Sequence, residues 1–247
     1  MYSLITWRES YIGTSMENVQ IIYEDNHLIA VNKPAGWLVQ GDETGDLPLS
    51  EWVKGYIKQR YKKPGDVFLG VIHRLDRPVS GVVVFARTSK ALTRMNKLFQ
   101  NREVKKTYLA ITKERPNPLS GQLTHYILKD RARNVAKAYE KVGNRTKEAK
   151  KSELDYEMVA EIDNHHLIRV NPITGRPHQI RVQLSMIDCP IVGDLKYGFR
   201  QPNHDGSICL HCRNISFIHP VKKEQVTIQA DLPESIYWKP FAGTLEI

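Results

Sequence analysis

The sequence predicts an α+β fold: one large, mostly antiparallel or mixed sheet with helices beside it. Short runs rich in β-branched residues outnumber the helical segments, and turn residues join several of these runs as hairpins. Strands and helices do not alternate regularly, which argues against a parallel sheet built from repeated strand–helix–strand units. A chain of 247 residues with 41% hydrophobic and 26% charged residues can bury a sizeable core.

The N-terminal elements begin with a hairpin, because the apolar runs "VQIIY" and "HLIAVN" flank the turn residues Asp25 and Asn26. Residues 48–61 carry apolar side chains at helical spacing, and Ser50 can cap that helix. "VFLGVI" and "GVVVFAR" predict two strands around a charged segment. "TSKALTRMNKLFQ" predicts a second helix, which Thr88 or Ser89 can cap.

The remaining elements are mostly strands. "VKKTYLAIT" predicts one strand, "EIDNHHLIRV" predicts a hairpin, and "SICLHCRNISFIHP" and "QVTIQADL" predict the last two strands. "TGRPHQIRVQLSMI" predicts a third helix with Pro177 in its first turn, because Ile180, Leu184 and Ile187 share one face. Strands therefore dominate this half of the chain as well.

The chain is strongly basic, with 36 Lys and Arg residues against 27 Asp and Glu residues and a net charge of +9. This balance favours a polyanionic partner, most simply nucleic acid, and leaves a basic enzyme without such a partner as the alternative. Two basic segments contain interleaved tyrosines. Such segments are usually solvated faces, but two of them favour a surface that follows phosphates somewhat more than chance would. They are "KGYIKQRYKK" at 54–63 and the stretch 129–151, which holds Lys129, Arg131, Arg133, Lys137, Lys141, Arg145, Lys147, Lys150 and Lys151.

Cysteine content and apolar runs bear on where the protein works. Three cysteines, an odd and low number, argue against a secreted disulfide framework. No apolar run reaches the length of a membrane span. The stretch "MYSLITWRESYIGTSM" has neither a basic leader nor a small-residue cleavage site. We therefore expect a cytoplasmic, monomeric protein that does not bind a membrane.

The segment "HRLDRPVSG", residues 73–81, places Asp76 between Arg74 and Arg77 at a turn between two predicted strands. An Asp at a turn most often serves as a local hydrogen-bonding group. Strands on both sides can also hold its side chain rigidly, and flanking cations favour the ionised carboxylate. A fixed, ionised carboxylate is what attack at a sugar carbon requires, so these residues support a structural and a catalytic role about equally.

Two further segments carry candidate site residues. In "KKTYLA", Tyr108 follows Lys105 and Lys106, and it is either a core residue or a platform on which a base stacks while the lysines approach phosphates. In "TGRPHQIRVQLS", Arg181 is set among apolar residues and needs a carboxylate partner if it is buried. Asp76 is a candidate partner, and the alternative is an arginine that reaches solvent.

The segment "CLHC" holds a Cys-x-x-Cys pair, Cys209 and Cys212, and therefore raises the question of a metal site. In a strand, Cys209 and His211 face one side of the sheet, and Leu210 and Cys212 face the other. A zinc knuckle needs a tight turn, usually with glycine, and this segment has none. We expect no metal here, and instead two buried free thiols.

Five segments are distinctive in combination: "IIYEDNHLIAVNKPAGWLV", "HRLDRPVSGVVVFARTSKAL", "KTYLAI", "TGRPHQIRVQLSMIDCPIVGDLKYG" and "LHCRNISFIHP". Together they resemble the RluA-like pseudouridine synthases. "HRLD" followed by "SG", with "GRPHQIR" about a hundred residues later, is a specific combination, although no single piece of it is. The similarity runs from about Val19 to Pro233, which predicts an extension over 1–18, a catalytic domain over 19–247 and no S4 RNA-binding domain ahead of it.

The resemblance implies the pseudouridine synthase fold with an active-site cleft. It implies conversion of uridine to pseudouridine in structured RNA, either tRNA or ribosomal RNA, without a cofactor or a metal. Asp76 matches the family's catalytic carboxylate, Tyr108 its base-stacking tyrosine, and Arg181 the arginine that pairs with the carboxylate. Val79 stands where family members often have Thr, which removes a hydroxyl beside the site.

The resemblance also implies a set of residues that bind substrate. Ile180 matches the apolar residue beside the arginine of the "HQIR" motif, and Arg74 matches the arginine of "HRLD". To these we add the polar and basic residues near the motifs and in the basic stretch, which are His73, Lys106, Arg176, Arg131 and Arg133.

The chemistry implied by the family fits these residue types. A uridine in folded RNA must be flipped out before its sugar can be reached, which requires a stacking surface and cations for the bent backbone. Asp76 would then attack C1′ or remove a 2′ proton to give a glycal, and the sequence leaves both routes open. The competing hypothesis is a non-catalytic RNA-binding protein or RNA chaperone of the same fold, which would need the basic stretches but not Asp76, Tyr108 and Arg181.

Overall fold

One sheet dominates the fold. In this computed structural model, which describes residues 19–244, eleven strands of the described part belong to a single sheet. The extension predicted for residues 1–18 lies outside the described residues. The strands are β1 Gln20–Glu24, β2 Leu28–Lys33, β3 Gly70–Val71, β4 Ser80–Ala86, β5 Lys105–Thr112, β6 Ser120–Asp130, β7 Val135–Tyr139, β8 Lys150–Ile162, β9 His165–Pro172, β10 Leu210–Ile218 and β11 Gln225–Gln229. The helices are α1 Leu49–Arg60, α2 Ser89–Gln100 and α3 Gln179–Ser185, with short 3₁₀ turns at Asn144–Thr146, Leu195–Tyr197 and Lys239–Thr244.

The strand order confirms the mostly antiparallel sheet that the sequence predicts. Along the sheet the order is β1-β2-β4-β10-β5-β9-β8-β6-β7, with β11 paired to β10 and β3 paired to β4. All of these pairings are antiparallel except that of β4 with β10, where Ser80 lies opposite His211 and Gly81 opposite Cys212. Strand β10 comes late in the sequence but lies in the middle of the sheet, between β4 and β5.

The core lies against the central strands. Every residue of β4 is buried, which explains its continuous run of apolar and small side chains. Helix α1 buries Leu49, Val53 and Ile57, and α2 buries Ala91 and Met95, at the spacing of one helical face. None of the helices in the described residues is long and apolar enough to cross a membrane.

Helix ends follow the sequence in one case and depart from it in another. Thr88 caps α2 as predicted, because its hydroxyl accepts a hydrogen bond from the Ala91 amide at 3.2 Å. The prediction that Ser50 caps α1 is wrong: Pro48 occupies the N-cap position, and no side chain caps the helix. Proline at this position has the extended backbone that an N-cap residue needs, so the helix begins without a capping hydroxyl.

Helix α3 is shorter than predicted. It begins at Gln179 rather than at Pro177, and it ends at Ser185, before Ile187. His178 occupies the N-cap position in the left-handed region, with φ of 54°, and therefore breaks the helix at the point where the sequence pattern would continue it. The strand predicted for "VFLGVI" is likewise reduced to the two residues of β3.

The loop that carries Asp76 is held at both ends. Strands β3 and β4 pair with each other, Gly70 opposite Ala86 and Val71 opposite Phe85, and so fix the two ends of the segment between them. Within the loop, the Val79 amide donates to the Asp76 carbonyl at 3.0 Å, which closes a turn. Gly81 then follows with φ of +115°, and any side chain there would overlap the backbone of Cys212.

Candidate active site

A cavity of about 400 Å³ brings the three predicted motifs together. One side of it comes from the loop before β4, a second from β5, and a third from the segment that joins β9 to α3. Its lining includes Ile72, His73, Arg74, Asp76, Val79, Phe99, Lys106, Tyr108, Gly175, Arg176, His178, Ile180 and Arg181. Residues that are about a hundred positions apart in the sequence therefore line one space.

The predicted contact between Asp76 and Arg181 is present. Nη1 of Arg181 donates to Oδ2 of Asp76 at 3.0 Å. Arg181 is only 5% exposed although it carries a charge, because α3 turns it inward from the first turn of the helix. The alternative of an arginine that reaches solvent is therefore wrong. Asp76 is partly exposed to the cavity, so its carboxylate stays accessible while one oxygen is held.

A second carboxylate fixes the other edge of the Arg181 guanidinium. Asp194, 1% exposed, accepts from Nε at 2.7 Å and from Nη2 at 2.8 Å. The Tyr197 ring also lies under the guanidinium, 5.0 Å from Cζ to the ring centroid. Burial by itself would lower the pKa of Arg181, but hydrogen bonds and charge from Asp194, together with Asp76, raise it well above its usual range. Arg181 is a permanently charged, oriented donor to Asp76.

His178 links this cluster to the β6–β7 hairpin. Its Nδ1 lies 2.6 Å from the Tyr197 hydroxyl, which in turn accepts from the Ala136 amide at 2.8 Å. Its Nε2 lies 3.3 Å from Nζ of Lys129 and 3.9 Å from Oδ2 of Asp76. Burial lowers the pKa of His178 to about 4 despite the attraction of the Asp76 carboxylate, so the imidazole is neutral near pH 7.

Strand β5 forms the facing wall with Lys106 and Tyr108. Burial raises the pKa of the Tyr108 hydroxyl well above 10, and the neighbouring thiol of Cys212 adds to this effect. Tyr108 is therefore a neutral aromatic surface rather than an acid or base near pH 7. Ile180 also lines the cavity, so the space next to Asp76 combines one aromatic and one apolar side chain.

His73 has a structural contact that its sequence position does not reveal. Its Nε2 accepts the Val84 amide at 3.0 Å, and its ring stacks on Phe99 with centroids 5.2 Å apart. Burial lowers the pKa of His73 to about 3. A neutral imidazole that accepts from β4 anchors the start of the Asp76 loop while the ring still lines the cavity.

The two arginines that flank Asp76 in sequence do not pair with it. Arg77 turns away and binds the Asp46 carboxylate at 2.6 Å and the Gly36 carbonyl at 3.0 Å. Arg74 is exposed at the cavity wall. The interpretation that Asp76 pairs with its flanking cations is therefore wrong, because the paired cation is Arg181, 105 residues away.

The other predicted substrate-binding residues lie at the rim. Arg176 is exposed at the edge of the cavity, beside the buried Gln179 whose side chain accepts the Arg176 amide at 3.0 Å. Arg131 and Arg133 are exposed in the turn between β6 and β7. Lys129 connects that turn to the site, since its Nζ lies 2.5 Å from Oδ1 of Asn134 as well as near His178.

Four residues that shape the site were not predicted as part of it, although Lys129 belongs to the basic stretch expected to follow phosphates. Asp194 and Tyr197 hold Arg181, Lys129 approaches His178, and Lys33 donates to the carbonyls of Pro34, Trp37 and Arg77 at 2.8–3.1 Å. Burial lowers the pKa of Lys33 to about 7, against the pull of Asp76. A usable signal existed for two of them: "VGDLKYG" places an acid and a tyrosine shortly after the arginine helix.

The two thiols of the Cys-x-x-Cys pair contact different side chains. Cys209 lies 3.6 Å from the Asn203 amide nitrogen, and Cys212 lies against Tyr108. His211, between them in the chain, lies 2.8 Å from the Ser80 hydroxyl through Nδ1. Burial raises the pKa of both thiols to about 12.

Comparison with known proteins identifies the family. A family profile described as RNA pseudouridylate synthase matches residues 27–186. The chain belongs to the RNA pseudouridylate synthase family. The tRNA pseudouridine synthase C of Haemophilus influenzae is 33% identical over 235 residues, which cover 87% of this chain and 94% of that protein. The ribosomal large subunit pseudouridine synthase C of Rickettsia felis is 32% identical over 217 residues, which cover 86% of this chain and 67% of that protein.

Solved structures agree with this assignment. Human RNA pseudouridylate synthase domain containing 4 superposes with a TM-score of 0.72 at 26% identity, covering 91% of this chain and 90% of that chain. Human RNA pseudouridylate synthase domain containing 1 gives a TM-score of 0.69 at 25% identity, covering 90% and 86%. The predicted fold and the predicted class of activity, an RNA pseudouridine synthase that isomerises uridine, are both confirmed.

Proposed function

We propose that Asp76 is the reacting carboxylate of this pseudouridine synthase and that its substrate is a uridine in tRNA or ribosomal RNA. The observation that carries the proposal is the buried chain Asp194–Arg181–Asp76, which ends in a carboxylate at the cavity wall. An oxygen held at 3.0 Å by a guanidinium that is itself fixed by two further bonds can be aimed at a sugar carbon. Relatives named for both kinds of RNA support the choice of substrate class.

The reaction rearranges one nucleoside and needs no outside electron donor or acceptor. Asp76 either forms a bond to C1′ or takes the 2′ proton, and in both routes the bond from C1′ to N1 breaks. The electron pair of that bond leaves with the uracil. The base then turns, and C5 bonds to C1′ as the bond from Asp76 to C1′ breaks or, on the glycal route, as Asp76 returns the 2′ proton. Loss of the C5 proton to water and gain of a proton at N1 complete the pseudouridine. We propose that the chain performs this sequence without cofactor or metal.

The flipped uridine would occupy the cavity between strand β5, which carries Tyr108, and helix α3, which carries Ile180. Flipping is required because the sugar of a stacked nucleotide cannot be reached. Tyr108 offers the aromatic face on which the uracil stacks, and Ile180 covers it from the helix side. After cleavage the base must rotate without escaping, and Tyr108 and Ile180 offer the aromatic and apolar surfaces between which it can turn.

The remaining predicted residues would hold the RNA outside the cavity. Arg74 and Arg176 are exposed at its edge, where the backbone of a flipped nucleotide passes. Arg131 and Arg133 extend this charge onto the β6–β7 turn. We assign His73 to the cavity wall rather than to the RNA, since its ring nitrogen already accepts the Val84 amide.

We further propose that residues 19–247 are the catalytic domain and 1–18 an extension to it. Elements beyond the 27–186 family match support this boundary, because Asp194, Tyr197 and β10 all contribute to the site. We also propose a monomer in the cytoplasm, where the three free cysteines would stay reduced.

Pseudouridine mapping tests this function. Total RNA from cells that lack the protein is compared with RNA from cells that carry the wild type or Asp76→Asn. The wild type should restore pseudouridine at one or a few sites, and Asp76→Asn should restore none, because an amide cannot act as the anionic nucleophile or base. In vitro, tritium release from C5-labelled uridine should fall more than about 10³-fold while RNA binding persists. Turnover near the wild-type rate would remove Asp76 from the mechanism; RNA binding without any pseudouridine would favour a non-catalytic RNA-binding protein.

A further inference from the structure

Strand β5 places two consecutive lysines on opposite faces of the sheet. Lys105 is exposed and lies opposite Ser216 of β10. Lys106 is half-buried and lines the active-site cavity together with Tyr108, two residues further along the same face. The sequence suggested two lysines near phosphates, whereas the structure separates them into one surface cation and one cavity cation.

Lys106 has no counter-charge in the described part of the chain. Its ionisable neighbours are the imidazole of His73 and the thiol of Cys212, whose pKa values are about 3 and about 12, so both are neutral near pH 7. Burial lowers the pKa of Lys106 itself, and among residues 19–244 no carboxylate lies within ion-pair distance of it. Gly175 leaves space above the ammonium, since a Cβ there would lie 3.6 Å from Nζ.

This arrangement is the opposite of that around Arg181, which has two carboxylates. Partial burial of a cation without a partner is unfavourable, and the described residues around Lys106 supply no carboxylate. A negative charge that arrives with the substrate would supply the missing partner. Resting on the proposed function, we propose that Lys106 stabilises the negative charge that develops on the uracil ring when its bond to C1′ breaks.

The chemistry of the reaction makes this charge unavoidable. Whether Asp76 attacks C1′ or removes the 2′ proton, the electrons of the C1′–N1 bond pass to N1 and spread onto O2 and O4 of the ring. A donor placed where charge develops lowers the barrier more than one that binds the neutral base, because it acts mainly in the transition state. Lys106 keeps its proton throughout and acts by its charge.

Position along β5 favours the base over a phosphate as the partner. Residues two apart on one strand face are separated by roughly 6.5–7 Å, which places the Lys106 ammonium at the edge of a ring stacked on Tyr108. The backbone of a flipped nucleotide lies at the mouth instead, where Arg74 and Arg176 are exposed. Lys106, which lies deeper in the cavity, is therefore placed to interact with the base.

Matched variants test the inference. Lys106→Met removes the charge and keeps the length of the side chain, Lys106→Arg keeps the charge, and Lys105→Met is the control with the same change in net charge on the opposite face. Each is assayed in single turnover on a transcribed RNA that carries the mapped site, made once with uridine and once with 5-fluorouridine. The readout is cleavage of the original glycosidic bond, since fluorine blocks loss of the C5 proton.

Lys106→Met should slow cleavage of the uridine RNA by about 10²–10³-fold, as loss of one such donor does in other enzymes. Its affinity for RNA should match that of Lys105→Met. The loss of cleavage rate should be smaller with 5-fluorouridine. Fluorine stabilises the uracil anion by itself, so the stabilisation contributed by Lys106 matters less. Lys106→Arg should recover part of the rate. The melting temperature of Lys106→Met should equal or exceed that of the wild type, since no partner is left unpaired.

Three results would overturn the inference. The first is an equal loss of cleavage rate with uridine and 5-fluorouridine. The second is a loss confined to RNA affinity and its salt dependence, which would make a phosphate the partner of Lys106. The third is a large drop in melting temperature, which would make the partner a group of the protein. A failure of the proposed function would look different. In that case the wild type would make no pseudouridine, and Asp76→Asn would behave like the wild type.

Discussion

The two walls of the active-site cavity balance charge in different ways. On the ion-paired wall, formed by Asp76, Arg181 and Asp194 with His178 beside them, each charge has a partner at 2.7–3.0 Å. On the strand wall, formed by Lys106 and Tyr108 of β5 with His73 of the neighbouring Asp76 loop, one cation faces neutral groups. Both walls line the same cavity, so the contrast does not come from burial alone.

The difference separates two requirements of the reaction. Asp76 must reach one atom of the sugar, and a buried ion-pair network gives fixed geometry even where its net contribution to stability is small. The base, in contrast, carries charge only while it is detached, and a group that stabilises that charge must be free of other partners beforehand. The ion pairs of Arg181 fix the position of Asp76, whereas the unpaired charge of Lys106 is free to interact with the substrate.

The largest expected effect comes from breaking the ion-paired wall. Arg181→Met leaves Asp194, 1% exposed, without its partner, so the free energy of unfolding should fall by about 3–5 kcal/mol and activity should be nearly lost. Urea titration and tritium release measure the two effects. Adding Asp194→Leu should recover much of the stability but none of the activity, because Asp76 still lacks its donor. Recovered activity in the double variant would show that Arg181 matters only for folding.

Acid should weaken the strand wall through His73. The pKa of this imidazole is about 3 in the folded protein and 6.5 when unfolded, so below pH 6.5 the unfolded chain binds a proton that the folded protein does not. The contribution of His73 to the free energy of unfolding is therefore fully present above pH 6.5. It falls as the pH approaches 3, by at most about 1.4 kcal/mol per pH unit.

The test is urea unfolding at several pH values between 7 and 4. His73→Gln, whose amide oxygen can accept the Val84 amide in place of the imidazole, should show a shallower loss of stability than the wild type. His204→Gln is the matched control, because His204 is exposed. Equal slopes for wild type and His73→Gln would contradict a neutral His73 imidazole in the folded protein.

A smaller effect, on binding alone, is expected outside both walls. Replacing Arg131, Arg133 and Lys137 with Ala should weaken RNA binding and reduce its salt slope by roughly 0.7–0.9 for each lost phosphate contact. Lys129, which reaches both Asn134 and His178, fixes this turn beside the site. The melting temperature should hardly change. An unaltered slope would make the turn a solvated face, and the double variant Lys54→Ala/Lys58→Ala on α1 would then be the next surface to test.

The smallest effect is expected behind the strand wall. Cys209→Ala and Cys212→Ala should each lower the free energy of unfolding by about 1–2 kcal/mol, as other small core truncations do. Cys189→Ala, equally buried, serves as the control. Metal analysis of the purified protein should find no stoichiometric zinc. Zinc that is present in the wild type and absent from both variants would contradict the assignment of free thiols.

The sequence predicted the ion-paired wall in part. Arg181 needed a carboxylate because apolar neighbours on its helix indicated burial, and Asp76 is one of its two partners. Asp194 escaped prediction because an acid in a glycine-flanked loop usually has only local contacts. Arg77 was misjudged for the converse reason: sequence neighbours of a turn residue are held close in the chain, but the turn directs their side chains apart, and Arg77 pairs with Asp46.

Pattern alone could not predict where α3 begins. Apolar spacing continues back through Pro177, but spacing does not report backbone dihedrals, and the left-handed His178 ends the helix there. That conformation is what places the imidazole between Tyr197 and Lys129. The start of α3 was therefore mispredicted at His178, a residue that lines the active-site cavity.

Strand β10 has a consequence for how the chain is made. It ends at Ile218, yet it fills the gap between β4 and β5, which end at Ala86 and Thr112. On the ribosome, both of these strand edges exist for about a hundred residues of synthesis before their common partner emerges. Open edges recruit strands from other chains, and pairings between distant segments form slowly. We therefore expect the nascent chain to depend on a chaperone most during the interval that ends with translation of β10.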